Sequence, residues 1–433
     1  MDGSFTHAVR RFGFGSRTTD GPPPADTRQW LASQLDAPDP LLAQPGPTII
    51  RATLADRNYK AMTKTSQAHA PGLSDIYQAD MTAILQHAVT TDLSVRERLV
   101  WFWGNHFTVS ARAGGWALGL AGCFLRDAIR PHVTGRFVDM LKAVMLHPAM
   151  LWYLDNWLSV GPNSPEGLAR HQGLNENLAR ECLELHTLGV DSGYTQRDVT
   201  AFAAILTGRT MDMSGDTPGY VYRPDTHEPG PKSFMGHTVP DGFAGSEAVL
   251  EFVASHSATH RHIATQLMRH YVADTPPENC IDHIQKVLKA TNGDLKQAIL
   301  AIFDLPEAWQ PSTKFQAPAE YVVSVQRALG LPLEPSARLL NATDDLGQHF
   351  MDPILPNGWP DTAPDWIAGE AILKRADWAM TQASRPGAPT ADRVMATALG
   401  NRCSATTRAA VGRCPNPAEA LATVFISPEF LRR

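Results

Sequence analysis

A mainly all-α protein is what this 433-residue chain predicts, on three observations. Apolar residues recur mostly three and four positions apart, alternating apolar and polar runs are scarce, and several stretches carry explicit helix starts and stops. The first two match the 3.6-residue period of a helix and not the two-residue period of a strand.

Helices are expected over 27–36 and 74–90. The run "SVRERLVWFWGNHF" follows, opened by a Ser94/Glu97 capping-box pattern. Further helices fit 117–129, 135–146 and 148–156, and then the polar stretch "NENLARECLELHTLG" at 175–189. "TQRDVTAFAAIL" starts on Thr195 and Asp198 and stops at Gly208, and the rest fall at 246–255, 257–272, 282–290, 294–304, 317–329, 367–384, 390–399 and 416–425. Three long connections remain, at 37–73, 157–174 and 209–245. Long connections inside a compact body are often functional, so the last two are expected to cover a site. One all-α domain over 1–433 is expected, with a soft boundary near 305–316 that could equally be a turn.

Composition narrows the function. With 43% hydrophobic and 19% charged residues the chain is ordinary globular material. A net charge of −6 and the lack of any Lys/Arg block exclude the electrostatic footprint of a nucleic-acid binder. Five scattered cysteines without a Cys-x-x-Cys pair fit neither a zinc knuckle nor a disulfide framework, and suit a reducing compartment. No stretch approaches 18 apolar residues, so no membrane span is expected. The chain as written reads as cytoplasmic, and as exported if an export signal once preceded it. Gly-x-Ser-x-Gly, His-Glu-x-x-His and phosphate-loop patterns are missing, and "FGFGS" reads as a turn, so no nucleotide cofactor is expected.

The 175–189 stretch carries most of the candidate chemistry. Asn177, Arg180, Glu181 and Glu184 fall on one stripe, with Glu176 at its edge, opposite Leu178, Cys182, Leu183 and Leu185. Such a stripe either faces water, with Arg180 and Glu184 as an i,i+4 pair, or lowers Glu181 and Glu184 together into a cavity as metal ligands or an acid/base pair. His186 projects to the leucine side. His106 shares a face with Leu99, Phe102 and Trp103, so burial should keep it neutral, as a core residue, a ligand or a base. Asp155 and Asn156 end an aromatic-rich helix as a cap and turn or as site residues. His227 and Lys232 sit in a Pro/Gly-stiffened loop that could hold them beside the carboxylates.

Taken together, "RFGFG", "FWGNHFTVS", "HPAMLWYLDN", "NENLARECLELHTLGVDSGYTQRDVTAFAAILTGRT", "HEPGPKSFMG" and "NGWPD" resemble, in order and over nearly the whole chain, the bacterial domain-of-unknown-function 1800 family. The resemblance marks His106, Asp155, Asn156, Asn175, Glu176, Asn177, Arg180, Glu181, Glu184, His186, Thr207, Gly208, His227, Lys232 and Gly236 as signature positions. It assigns no activity. It implies an exported setting for many relatives and an alkaline-phosphatase-like protein as a neighbour and partner.

The expectation is an enzyme, with hydrolysis as the first choice of reaction. Glu181, Glu184, His106 and His227 would be catalytic and would hold a divalent metal (Zn, Mn or Fe). Asn177, Arg180, Lys232, Asp155 and Asn156 would bind an anionic or hydroxyl-rich small molecule, such as a carbohydrate or ester. Oxidative chemistry at a non-haem iron would use the same ligands. The competing class is a non-catalytic assembly or binding protein in which the polar signature is a structural network.

Overall fold

The computed structural model describes residues 5–64, 72–190, 192–311, 314–333 and 337–433. Helices carry the described chain from Phe5–Phe12 to Pro428–Leu431. The β-strands among the described residues form two antiparallel hairpins, Arg209–Asp212 with Gly219–Tyr222 and Lys232–Phe234 with His237–Val239. Both lie in the 209–245 connection, where strands of three and four residues are too short to show an alternating pattern. No helix among the described residues is long and apolar enough to cross a membrane. The cysteines are free; Cys182 is buried, and burial pushes its thiol up to about 12, so it packs and does not react.

Local signals acted unevenly. The Thr195/Asp198 capping box forms, with Thr195 N donating to Asp198 Oδ2 at 2.8 Å and Asp198 N to Thr195 Oγ1 at 3.4 Å. The expected Ser94/Glu97 box does not. Ser94 is the first helical residue of Ser94–His106, and Glu97 turns away to accept two 2.7 Å bonds from buried Arg130. A bidentate ion pair inside the protein outweighs one cap hydrogen bond. The 37–73 connection contains a helix, Ile49–Lys64, in which alanines, charges and scattered aliphatics leave no clean apolar stripe. Phe5–Phe12, Ala337–Asp345 and Ala405–Gly412 are also helices outside the expected set.

The buried apolar side chains form one connected cluster from Ala8 to Leu431, with Ala308 and Phe315 in it on either side of the turn near 305–316. Helix Phe5–Phe12 ties distant parts of this cluster together. Arg10 Nη2 donates to Phe430 O at 2.5 Å, and Arg11 Nη1 to Tyr271 O at 3.0 Å and Val272 O at 2.8 Å. Carbonyls at helix ends lack intrahelical partners, and these buried guanidinium groups supply them.

Candidate functional site

The last turn of Ser94–His106 carries Asn105 and His106, and each is fixed by backbone from another part of the chain. Asn105 clamps the "NGWPD" loop: its Oδ1 accepts from Trp359 N at 2.8 Å and its Nδ2 donates to Trp359 O at 2.9 Å. Gly358 makes the approach possible. Its φ is +77°, and a Cβ there would lie 2.5 Å from Asn105 O. Gly358→Ala is therefore expected to cost about 1–3 kcal/mol of stability, read from the urea midpoint, through strain and the lost clamp. A change below about 0.5 kcal/mol would contradict the clamp.

His106 depends on the central motif. The stretch expected as one α-helix is α only over Asn177–Glu181, and Cys182–His186 is a π-turn. The wider turn ends the helix with the carbonyls of Leu185 and His186 turned outward. Two imidazoles meet them: His262 Nε2 donates to Leu185 O at 3.0 Å, and His106 Nε2 to His186 O at 3.1 Å. A carbonyl only accepts, so both rings carry their proton on Nε2 and leave Nδ1 unprotonated. The ring centroids of His106 and His262 are 6.0 Å apart, and those of His106 and His186 6.1 Å apart. Burial first, and then the neighbouring imidazoles, push the His106 pKa well below its ordinary value, and burial lowers that of His262. His106 is thus neutral at pH 7, as its apolar face predicts. Nδ1 of His106 has no partner among the described residues.

These groups open onto a cavity of about 410 Å³ between Ser94–His106, Ser257–Tyr271, Pro318–Leu329 and the 348–362 loop. Trp101, Phe102, Phe350, Met351 and Trp359 wall it. Its floor is a buried chain of charges. Arg98 pairs with Glu320, Glu320 with Arg433 at 3.0 Å, and Arg433 with Asp361 at 3.2 Å; Lys314 bridges Asp361 at 3.2 Å and Asp274 at 2.6 Å. His270 Nδ1 donates to Asp361 Oδ2 at 2.5 Å, and its Nε2 accepts from Arg98 Nε at 3.3 Å. Burial pushes His270 down to about 4, more than Asp361 raises it. Burial acts to raise Asp361, but its contacts with His270, Arg433 and Lys314 hold it well below the usual carboxylate range.

Of the catalytic, metal-ligating and substrate-binding residues expected from the sequence, the cavity takes His106 alone. The stripe at 177–184 lies outside it. Asn177 is exposed, and Arg180 bridges Glu176 at 2.9 Å and Glu184 at 3.4 Å. Glu176 also holds Gln196 at 2.8 Å and Thr200 at 2.6 Å. Glu181 is half-buried and hydrogen-bonds no described residue; burial and then Glu184 raise its pKa. Asn156 is buried and donates to Arg209 O at 2.8 Å, while Asp155 holds a left-handed turn at φ 57°.

His227 and Lys232 form a separate knot. His227 Nδ1 donates to Thr207 O at 2.8 Å and Nε2 accepts from Gly242 N at 3.1 Å. Lys232 Nζ reaches Asp241 at 3.0 Å, His227 Nε2 at 3.2 Å and Glu228 O. The 157–174 and 209–245 connections cover each other and do not line the cavity: Gly161 N donates to Thr226 O at 2.9 Å, and Asn163 Nδ2 to Glu228 Oε1 at 2.6 Å.

The expected metal set of Glu181, Glu184, His106 and His227 is therefore not assembled. No three His, Cys, Asp or Glu side chains among the described residues are grouped to hold a metal ion. The reason is local: backbone groups engage His227 through both nitrogens and His106 through Nε2, and Arg180 draws Glu184 to the outer side.

The site residues missed in the sequence are His262, Gln266, Arg269 and His270 on Ser257–Tyr271, with Arg98, Glu320 and Asp361. The first four had a readable signal. Spacings of four, three and one put them on one face, against buried Ile263, Ala264, Leu267, Met268 and Tyr271. "NGWPD" marks the family resemblance but by itself gives Asp361 no role.

With this architecture in place, comparison with known proteins gives the class. A family model described as "Protein of unknown function (DUF1800)" matches residues 7–432, and the chain belongs to that family. No curated protein and no solved structure matches it.

Proposed function

We propose that this chain is an acid/base hydrolase of small molecules, working in the cavity beside His106. The observation that carries the reading is the His106 imidazole. It lines an aromatic-walled cavity of ligand size, Nε2 is locked as a donor to His186 O, and Nδ1 is unprotonated and unpartnered. In the reaction, a water molecule passes a proton to Nδ1 as its oxygen adds to the carbonyl carbon of an ester. The tetrahedral adduct then expels the alcohol oxygen, which takes the proton back from Nδ1. The His270–Asp361–Arg98 chain holds the floor rigid during both steps.

Release of 4-nitrophenolate from a panel of 4-nitrophenyl esters tests this, with the neutral acetate and butyrate beside the anionic hemisuccinate and hemiglutarate. His106→Gln keeps a donor for His186 O but no base, and is expected to lower kcat by about 10²–10⁴-fold with the fold intact by circular dichroism. No release above the buffer rate by the natural protein, or full activity in His106→Gln, overturns the reading.

A second reading, a non-catalytic assembly protein, is favoured by one observation: Glu176, Arg180, Glu184, His227 and Lys232 are bonded within the protein. It predicts that substituting them changes stability and partner binding and leaves ester turnover alone.

A further inference from the structure

The helix Ser257–Tyr271 presents four polar side chains to the cavity, and they divide into two kinds. His262 and His270 are tied to protein atoms. Gln266 and Arg269 are half-buried and form no hydrogen bond or ion pair with any described residue. A helix C-terminal turn favours a cation at position 269, but it does not account for the missing carboxylate or for an idle amide one turn away.

In the floor, Arg98, Arg433 and Lys314 face Glu320, Asp361 and Asp274, three cations against three carboxylates. His106, His262 and His270 are neutral at pH 7. Arg269 is thus a positive charge with no ion-pair partner among the described residues, in a space walled by Trp101, Phe102, Phe350, Met351 and Trp359 and by the uncharged polar side chains of Asn105, Gln348 and Asn357. A guanidinium matches the two oxygens of a carboxylate or sulfonate, and flat rings favour an unsaturated body.

We infer that the cavity binds an organic monoanion with a planar, unsaturated body, its acid group on Arg269 and Gln266. This rests on the cavity being the working site and names the substrate class for it. A neutral molecule leaves the guanidinium unpaired, and a dianion brings one charge that nothing in the cavity balances.

Two fluorescent probes with one ring system test this on the full chain: 1-anilinonaphthalene-8-sulfonate, a monoanion, and N-phenyl-1-naphthylamine, its neutral counterpart. The sulfonate is expected to bind saturably at one site. Arg269→Met should raise its Kd at least tenfold and Arg269→Lys by less, while the neutral probe is unaffected. Equal affinity of the two probes, or a sulfonate Kd unchanged in Arg269→Met, overturns the inference. The outcome is separable from turnover. Arg269-dependent binding without ester hydrolysis sinks the hydrolytic reading alone, and hydrolysis at His106 that is indifferent to Arg269→Met sinks this one alone.

Discussion

Unfolding is expected to take up protons below pH 6.5, and stability is expected to collapse between about pH 6 and pH 4. The cause is a set of histidines buried in neutral form. Burial pushes His147 and His186 down to about 3, and His7 and His270 down to about 4. An unfolded histidine titrates near pH 6.5. Above that value both states are neutral and the stability is fully present. As the pH falls through 6.5 the unfolded chain binds protons that the folded chain refuses until pH 3–4, so acid favours unfolding. Each group removes about 1.4 kcal/mol per pH unit in that window, and the four together on the order of 5 kcal/mol per unit. A typical native state holds only about 5–15 kcal/mol, so a loss of about 11 kcal/mol over two units removes most or all of it. Urea midpoints from pH 8 to pH 5 measure the effect. His147→Asn isolates one group: His147 Nδ1 caps its own helix by accepting from Ala149 N at 3.1 Å, a role asparagine can fill without titrating. The variant's pH slope should be shallower by one proton. Midpoints flat from pH 8 to pH 5 would refute the argument.

Glu320→Ala should be the most damaging single substitution near the cavity. Arg98 and Arg433 are each 1% exposed and both rely on Glu320, whose own side chain is 10% exposed. Removing the carboxylate leaves buried Arg98 without an anionic partner and Arg433 with Asp361 alone, at a cost of about 3–5 kcal/mol. Glu320→Gln keeps the volume and removes only the charge, so it separates electrostatics from packing and should show most of the same loss. Denaturant unfolding at pH 7 reads both. A loss under about 1 kcal/mol would mean that the arginines find solvent or other partners. By contrast, the ion pairs of Arg180 are about one-third exposed, and such pairs are typically worth about 0–1 kcal/mol.

The helical class, the Thr195 start and the neutral, half-buried state of His106 were legible because each depends on local spacing and polarity. The π-turn at Cys182–His186 was not legible. Nothing in "CLELH" distinguishes hydrogen bonds spanning four residues from bonds spanning five, and that choice decides which carbonyls turn toward His106 and His262. The acidic stripe looked like a site because carboxylates are chemically loud, yet Arg180 and Gln196 satisfy much of it at the surface. The floor of the cavity was hidden for a different reason. Arg98 and Glu320 are 222 positions apart, and no local pattern connects them. Gln266 and Arg269 could have been found, since their helix was expected and its polar face is regular.

The arrangement of that floor bears on how the protein comes into being. Arg98, His270, Glu320, Asp361 and Arg433 meet at one point, and Arg10 and Arg11 brace segments up to 422 positions away. Contacts so remote in the chain must await the closure of very large loops, so they form late in folding. The cavity is therefore complete only in the finished protein, and a molecule that bound in it would stabilise that state alone.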